Sequence, residues 1–179
     1  MKNKYEKVNN YIIYFILYAI IGWIYEVLLE LLVWKHGFVN RGTLVGPWLP
    51  VYGVGALMFI FSIYPVIKEK PLRRKIILLP VVFLGCMFIA TLLELITSYL
   101  CEWTIGYIPW DYFNYKIHFQ GRIALSTSIR FGLGGVFFLY VLEPLFEKIC
   151  LKLGNKVKLI SYIIIGILLI DVIYSFIIK

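Results

Sequence analysis

The feature that most limits this chain is the length of its apolar runs. Five stretches, residues 11–34, 44–67, 76–100, 123–146 and 159–178, are each built of some twenty or more mostly apolar residues. A helix needs about 20 such residues to cross the roughly 30 Å of bilayer hydrocarbon. Composition agrees: 61% of the chain is hydrophobic and 16% charged, too few polar side chains to clothe a soluble domain. With 13 Phe, 14 Tyr and 5 Trp, disorder is excluded as well. The expected fold class is all-α, a polytopic membrane protein of five transmembrane helices forming one integral domain over residues 1–179.

The 18 Lys and Arg against 10 Asp and Glu would suggest a nucleic-acid partner in a soluble chain. Here they sit between apolar runs, where they set orientation instead. Lys2, Lys4 and Lys7 precede the first run; Lys68, Lys70, Arg73, Arg74 and Lys75 follow the second; Lys148, Lys152, Lys156 and Lys158 follow the fourth. The other two loops hold only Lys35 with Arg41, and Lys116 with Arg122. The expectation is a multi-pass plasma-membrane protein with its N-terminus cytoplasmic and its C-terminus extracytoplasmic. The run after residue 10 is too long for a signal peptide and lacks a small-residue cleavage pattern. Cys86, Cys101 and Cys150 lie in separate segments without CxxC spacing and read as apolar filler.

The chain also resembles itself. One offset lays Gly42 on Gly121, Gly53 on Gly132, Gly55 on Gly134, Phe59 on Phe138 and Pro65 on Pro144. A shorter one lays Glu26 on Glu94, and the Leu-Leu-Glu-Leu run of residues 28–31 resembles that of residues 92–95. The expected architecture is a tandem two-helix repeat, about residues 11–67 and 76–146, with an extra helix at 159–178 packed outside the pseudo-symmetric core. Such parallel repeats place their sites between the units.

An ionisable group inside a span costs about 2.5–3.5 kcal/mol or more, so each calls for a reason. Glu26 and Glu30 share a face of the first helix; Glu94, Thr97, Ser98 and Cys101 share one of the third. Arg130 falls in the fourth and Asp171 in the fifth. Arg130 is expected to bridge to Glu94 or Glu26, and Glu30, nearest the interface, to be solvated. These groups either clamp helices together, which lipid-embedded helices need because no hydrophobic force joins them, or line a polar cavity open to the outside.

The loop after the first helix runs through Asn40, Arg41 and Gly42 to Gly46-Pro47-Trp48-Leu49-Pro50. Prolines and glycines at this density argue against regular helix through Pro50. Either a re-entrant turn lining a cavity or an interfacial loop satisfies that pattern. Asn40 and Arg41 could hold a phosphate or carboxylate. The long loop at residues 102–122 is aromatic, as an interfacial belt would be. Its Asp111 is expected to pair with Arg41 or Arg122. His36, His118 and Asp111 lack metal-ligand spacing, so no metal or other cofactor is expected.

The Gly-Trp-x-x-Glu of residues 22–26, the Asn-Arg-Gly to Tyr-Gly string of residues 39–53, and Trp110-Asp111-Tyr112 with Asn114 and Gly121-Arg122-Ile123 carry a family resemblance. The chain resembles a bacterial membrane family of type IV ABC transporter permeases, to which an animal transmembrane family is distantly similar. The resemblance implies a permease working with a separate ATPase subunit, and no phosphate-binding Gly-rich loop occurs here. A homodimer is the other partner expectation, and nucleic acid is not one. The functional expectation is a transport or solute-binding subunit with an outward-facing cavity for a small polar or anionic solute. Its candidate residues are Glu26, Glu94, Asn40, Arg41, Asp111, Asn114, Arg122 and Arg130. Two alternatives stand beside it: a non-catalytic partner subunit, and a membrane-embedded enzyme acting on a lipid headgroup with Glu26, Glu94 or Asp111 as general base, though the sequence offers no nucleophile–base pair.

Overall fold

The computed structural model describes residues 4–35, 37–40, 42 and 44–178, and most of them are helical. The first helix, α1 (Lys4–Leu28), runs on as a wider π turn through Leu29–Trp34. It stops at Lys35, whose φ of 57° turns its N–H back to the Glu30 carbonyl. Then come α2 (Pro50–Ser62), the short α3 (Tyr64–Ile67) and α4 (Leu72–Ile77), and the long α5 (Leu79–Ile105). Gly106, at φ 80°, ends α5 with its N–H on the Glu102 carbonyl, the left-handed cap that glycine adopts without strain. A two-residue antiparallel pair follows, β1 (His118–Phe119) with β2 (Ile123–Ala124), the only departure from helix and loop among the described residues.

The fourth apolar run becomes α6 (Leu125–Phe137), a π turn at Phe138–Leu142, and α7 (Glu143–Leu153). Pro144 explains the interruption. Proline lacks the N–H that a regular helix would use and collides with the carbonyl four residues back, and a wider turn relieves both. The fifth run forms α8 (Lys156–Ile173), with a π turn at Tyr174–Ile178.

Three helical runs, Lys7–Trp34, Leu79–Ile105 and Leu125–Leu153, are long and apolar enough to cross a membrane, and Pro50–Ser62 is a shorter apolar helix. Helix α2 starts at Pro50, where the sequence pattern puts the end of irregular backbone. Proline suits this first position because that N–H has no helical partner in any case.

The chain divides into two compact units. Residues 1–57 and 145–179 form the first, and residues 58–144 the second. In the first, α8 packs along α1. Tyr18 and Ala19 are fully buried there, Tyr18 meets Phe146 edge-on at 5.0 Å, and Ser161 bonds Asn9 at 3.0 Å. Gly22 and Gly53 let α1 and α2 approach: a Cβ on Gly53 would lie 2.6 Å from the Phe15 ring and 2.7 Å from its backbone oxygen. In the second unit, α6 lays Gly132 and Gly135 against Phe83, Met87 and Cys86 of α5. Small residues at helix contacts are what close packing in lipid requires.

Candidate functional site

Each unit contains a polar cluster, and the two differ in kind. In the first unit Asp171 of α8 is the centre. Its carboxylate accepts the N–H groups of Val45 (3.1 Å) and Gly46 (3.0 Å), the Trp48 indole N–H (2.8 Å) and the Ser175 hydroxyl (3.2 Å). The Gly-Pro-Trp segment before α2 has no helix to satisfy its backbone, and a buried N–H without an acceptor is costly. Asp171, 9% exposed, supplies that acceptor from far along the sequence. Its chemistry is that of a clamp.

Asn40 does related work earlier in the same loop. Its Oδ1 accepts the Trp23 indole N–H (2.8 Å) and the Gly42 N–H (3.2 Å), while Nδ2 reaches the Leu44 carbonyl at 3.4 Å. An Asn bonded to backbone two residues on is an Asx turn. Glu26 accepts the Tyr52 hydroxyl, which ties α1 to α2. Glu30 is 2% exposed, so the expectation that it is solvated is wrong: the π turn at Leu29–Trp34 carries it inward. Arg41 and His36 lie outside the described residues. Replacing Trp23 with Phe and Asn40 with Ala should each destabilise the protein modestly, with a coupling of about 1 kcal/mol, the net worth of one hydrogen bond. Strictly additive losses in a double-mutant cycle would show that the bond does not form.

The second unit's cluster is built along α5. Glu94, Ser98 and Glu102 recur every four residues and so share a face. Tyr112 donates its hydroxyl to Glu94 Oε1 at 2.8 Å. Arg122 reaches the same face from the β1–β2 turn. Its Nη2 pairs with Glu102 Oε2 at 2.6 Å, its Nη1 lies 3.4 Å from Ser98 Oγ, and its guanidinium rests 4.0 Å from the centre of the Tyr99 ring. Arg122 is 8% exposed, Glu94 9% and Ser98 fully buried. Arg122 Nε is buried with no hydrogen-bond partner among the described residues.

The loop is shaped to deliver that arginine. Gly121 has φ 67°, and a Cβ there would strike the Phe113 ring. Its N–H goes to His118 Nδ1 (3.2 Å) and its carbonyl accepts the Tyr112 N–H (3.0 Å). The Trp110 indole holds the Arg122 carbonyl at 2.8 Å. Asp111 does not pair with Arg122 as expected. Its Oδ1 accepts the Phe113 N–H at 2.8 Å, a local turn bond, and Glu102 takes the arginine. Asn114 is exposed on the loop, and Arg130 lies on the exposed side of α6.

The structure thus brings Glu94 and Arg122 onto one face and places Asn40 and Asp111 as turn formers. Sequence reasoning missed Glu102, Tyr112 and Tyr99. Glu102 reads as loop because the apolar run stops at Leu100, yet Gly106 is the signal that the helix continues to Ile105. Among the described residues no group of three or more His, Cys, Asp or Glu is arranged to hold a metal ion.

An open groove of about 650 Å³ runs beside this cluster, lined by Ile96, Tyr99, Leu100, Glu102 and Trp103. No curated protein and no solved structure matches the chain. A family model does, across residues 13–176, and by that match over nearly the whole sequence the chain belongs to the membrane family described as "Putative ABC-transporter type IV".

Proposed function

We propose that this protein is the membrane-spanning, solute-handling component of an ABC-type transport system, and that its ligand site is the Arg122 cluster. The observation that carries this reading is the state of Arg122: 8% exposed, ion-paired once, and with Nε buried without an acceptor among the described residues. An unsatisfied buried donor costs about 1–3 kcal/mol, so a ligand oxygen reaching Nε would offset that cost. A guanidinium backed by an aromatic ring is also well suited to a carboxylate or phosphate. Glu94, held by Tyr112, sits two turns deeper on the same helix face and would set selectivity.

The rest of the reading follows the charge pattern. Five crossings, two of them in each helix–loop–helix repeat, put the N-terminus in the cytoplasm and the Arg122 turn on the outer side. Energy would come from a separate ATPase subunit, since the chain has no phosphate-binding loop of its own. A second reading, a partner subunit without a ligand, is favoured by Asp171, whose four donors all come from within the chain.

Melting of the purified protein in detergent with added inorganic phosphate or a small dicarboxylate separates the two readings. The transport reading expects a saturable rise in Tm. Arg122→Lys keeps the charge facing Glu102 but loses the Nε donor and the planar fork, so it should weaken that effect about tenfold. Asp171→Asn should lower the baseline Tm and leave the anion response intact. No rise with any anion, or one indifferent to Arg122→Lys, would favour the partner-subunit reading.

A further inference from the structure

The groove on α5 has a composition that a freely soluble anion does not explain. Ile96, Leu100 and Trp103 recur at helical spacing along its length, and they are 47%, 51% and 88% exposed. Polar groups enter only through Tyr99 and Glu102, and both are tied to the Arg122 turn: Tyr99 donates to Gln120 Oε1 at 2.9 Å, and Glu102 holds Arg122. The groove is therefore apolar along its length and ionic at one end.

Depth in the bilayer bears on what fills it. Helix α5 runs Leu79–Ile105, so its middle is near Leu92. At 1.5 Å per residue, centring the helix puts Glu102 about 15 Å from the midplane, the edge of the hydrocarbon. Ile96, Tyr99 and Leu100 then lie inside the acyl region, and Trp103 stands at the headgroup level that tryptophan favours. The species present at that depth, at high concentration, is lipid.

The charges select which lipid. Glu102 is half exposed, with Oε2 committed to Arg122. Beside it the Trp103 ring is almost wholly open, a surface that attracts cations. Behind it Arg122 offers positive charge. A carboxylate in front and a guanidinium behind carry no net charge together, and they match a headgroup that is itself a zwitterion.

We propose that the α5 groove binds a zwitterionic aminophospholipid, with its ammonium on Glu102 and Trp103, its phosphate toward Arg122, and an acyl chain along Leu100 and Ile96. The proposal rests on the Arg122 cluster being the ligand site, and it gives that site an amphiphilic substrate class. The ion pair then reads the headgroup, and the apolar row holds the chain.

Native mass spectrometry of the delipidated full-length protein, titrated with phosphatidylethanolamine or phosphatidylglycerol, tests it. Phosphatidylethanolamine should be retained about fivefold better than phosphatidylglycerol, the scale of one exposed charge contact. Glu102→Gln should bring the two lipids to parity, and Trp103→Ala, at an almost fully exposed position, should weaken retention of phosphatidylethanolamine. Equal or stronger retention of phosphatidylglycerol by the unaltered protein overturns the proposal, as does a preference that survives Glu102→Gln. Soluble phosphoethanolamine serves as the control. If it or phosphate raises Tm through Arg122 while neither lipid is retained, the lipid proposal fails and the Arg122 site stands. If neither lipid nor soluble anion binds, both fail together.

Discussion

Replacing Asp171 with alanine is expected to lower stability by about 3–5 kcal/mol, since several partly buried donors lose their acceptor at about 1–3 kcal/mol each. The size follows from what the carboxylate holds. Two backbone N–H groups, an indole N–H and a hydroxyl converge on it, and the residues that donate them, apart from Ser175 in the π turn after α8, belong to the segment leading into α2. Glycine and proline deny that segment a regular hydrogen-bond ladder, so no local acceptor replaces the lost one. Asp171→Asn should cost less, about 1–3 kcal/mol, since one oxygen remains to accept while the amide faces a donor. Chemical denaturation in mixed micelles measures both, and a loss below about 1 kcal/mol for the alanine variant would show that the loop holds itself.

This carboxylate also marks where reading the sequence stops working. A charge in an apolar run is plain to see, and its cost alone says it has a partner. The partner is not visible, because backbone N–H groups carry no residue signature and these lie more than 120 residues upstream. The same limit hid Tyr112 beside Glu94: a tyrosine in an aromatic loop looks like interface, and only the turn at Gly121 brings the loop back over α5. Other features were legible for physical reasons. Pro50 marks the start of α2, since proline is tolerated in the first helical turn and not in the interior. Arg122 stood out as a cation at the mouth of an apolar run. Its partner did not, because Glu102 was read as the first residue of the loop; Gly106, able to take a left-handed cap, carried the correction. The π turn before Pro144 was not read from the sequence, where that proline entered only as a match within the repeat.

Enlarging Gly53 is the second large effect. Gly53→Leu is expected to cost about 3 kcal/mol or more, at or above the upper end for overpacking a tight contact. Even the first added carbon would lie 2.7 Å from the Phe15 carbonyl oxygen, and that atom belongs to the backbone of α1, which cannot swing aside as a side chain would. Helix α2 must then separate from α1. Two attachments go with it, the Tyr52 hydroxyl on Glu26 and the Leu49 N–H on the Ala19 carbonyl at 3.0 Å. Gly22 is constrained from the other side, since a Cβ there would overlap the Tyr52 ring; its alanine variant should be milder, because a ring can tilt. Gly166 in α8 supplies the contrast. Nothing lies within 4 Å of where its Cβ would be, so Gly166→Ala should be neutral or gain up to about 1 kcal/mol from helix propensity. If Gly53 and Gly166 responded alike in the same denaturation assay, the close approach of α1 and α2 would not be what holds the Glu26–Tyr52 pair together.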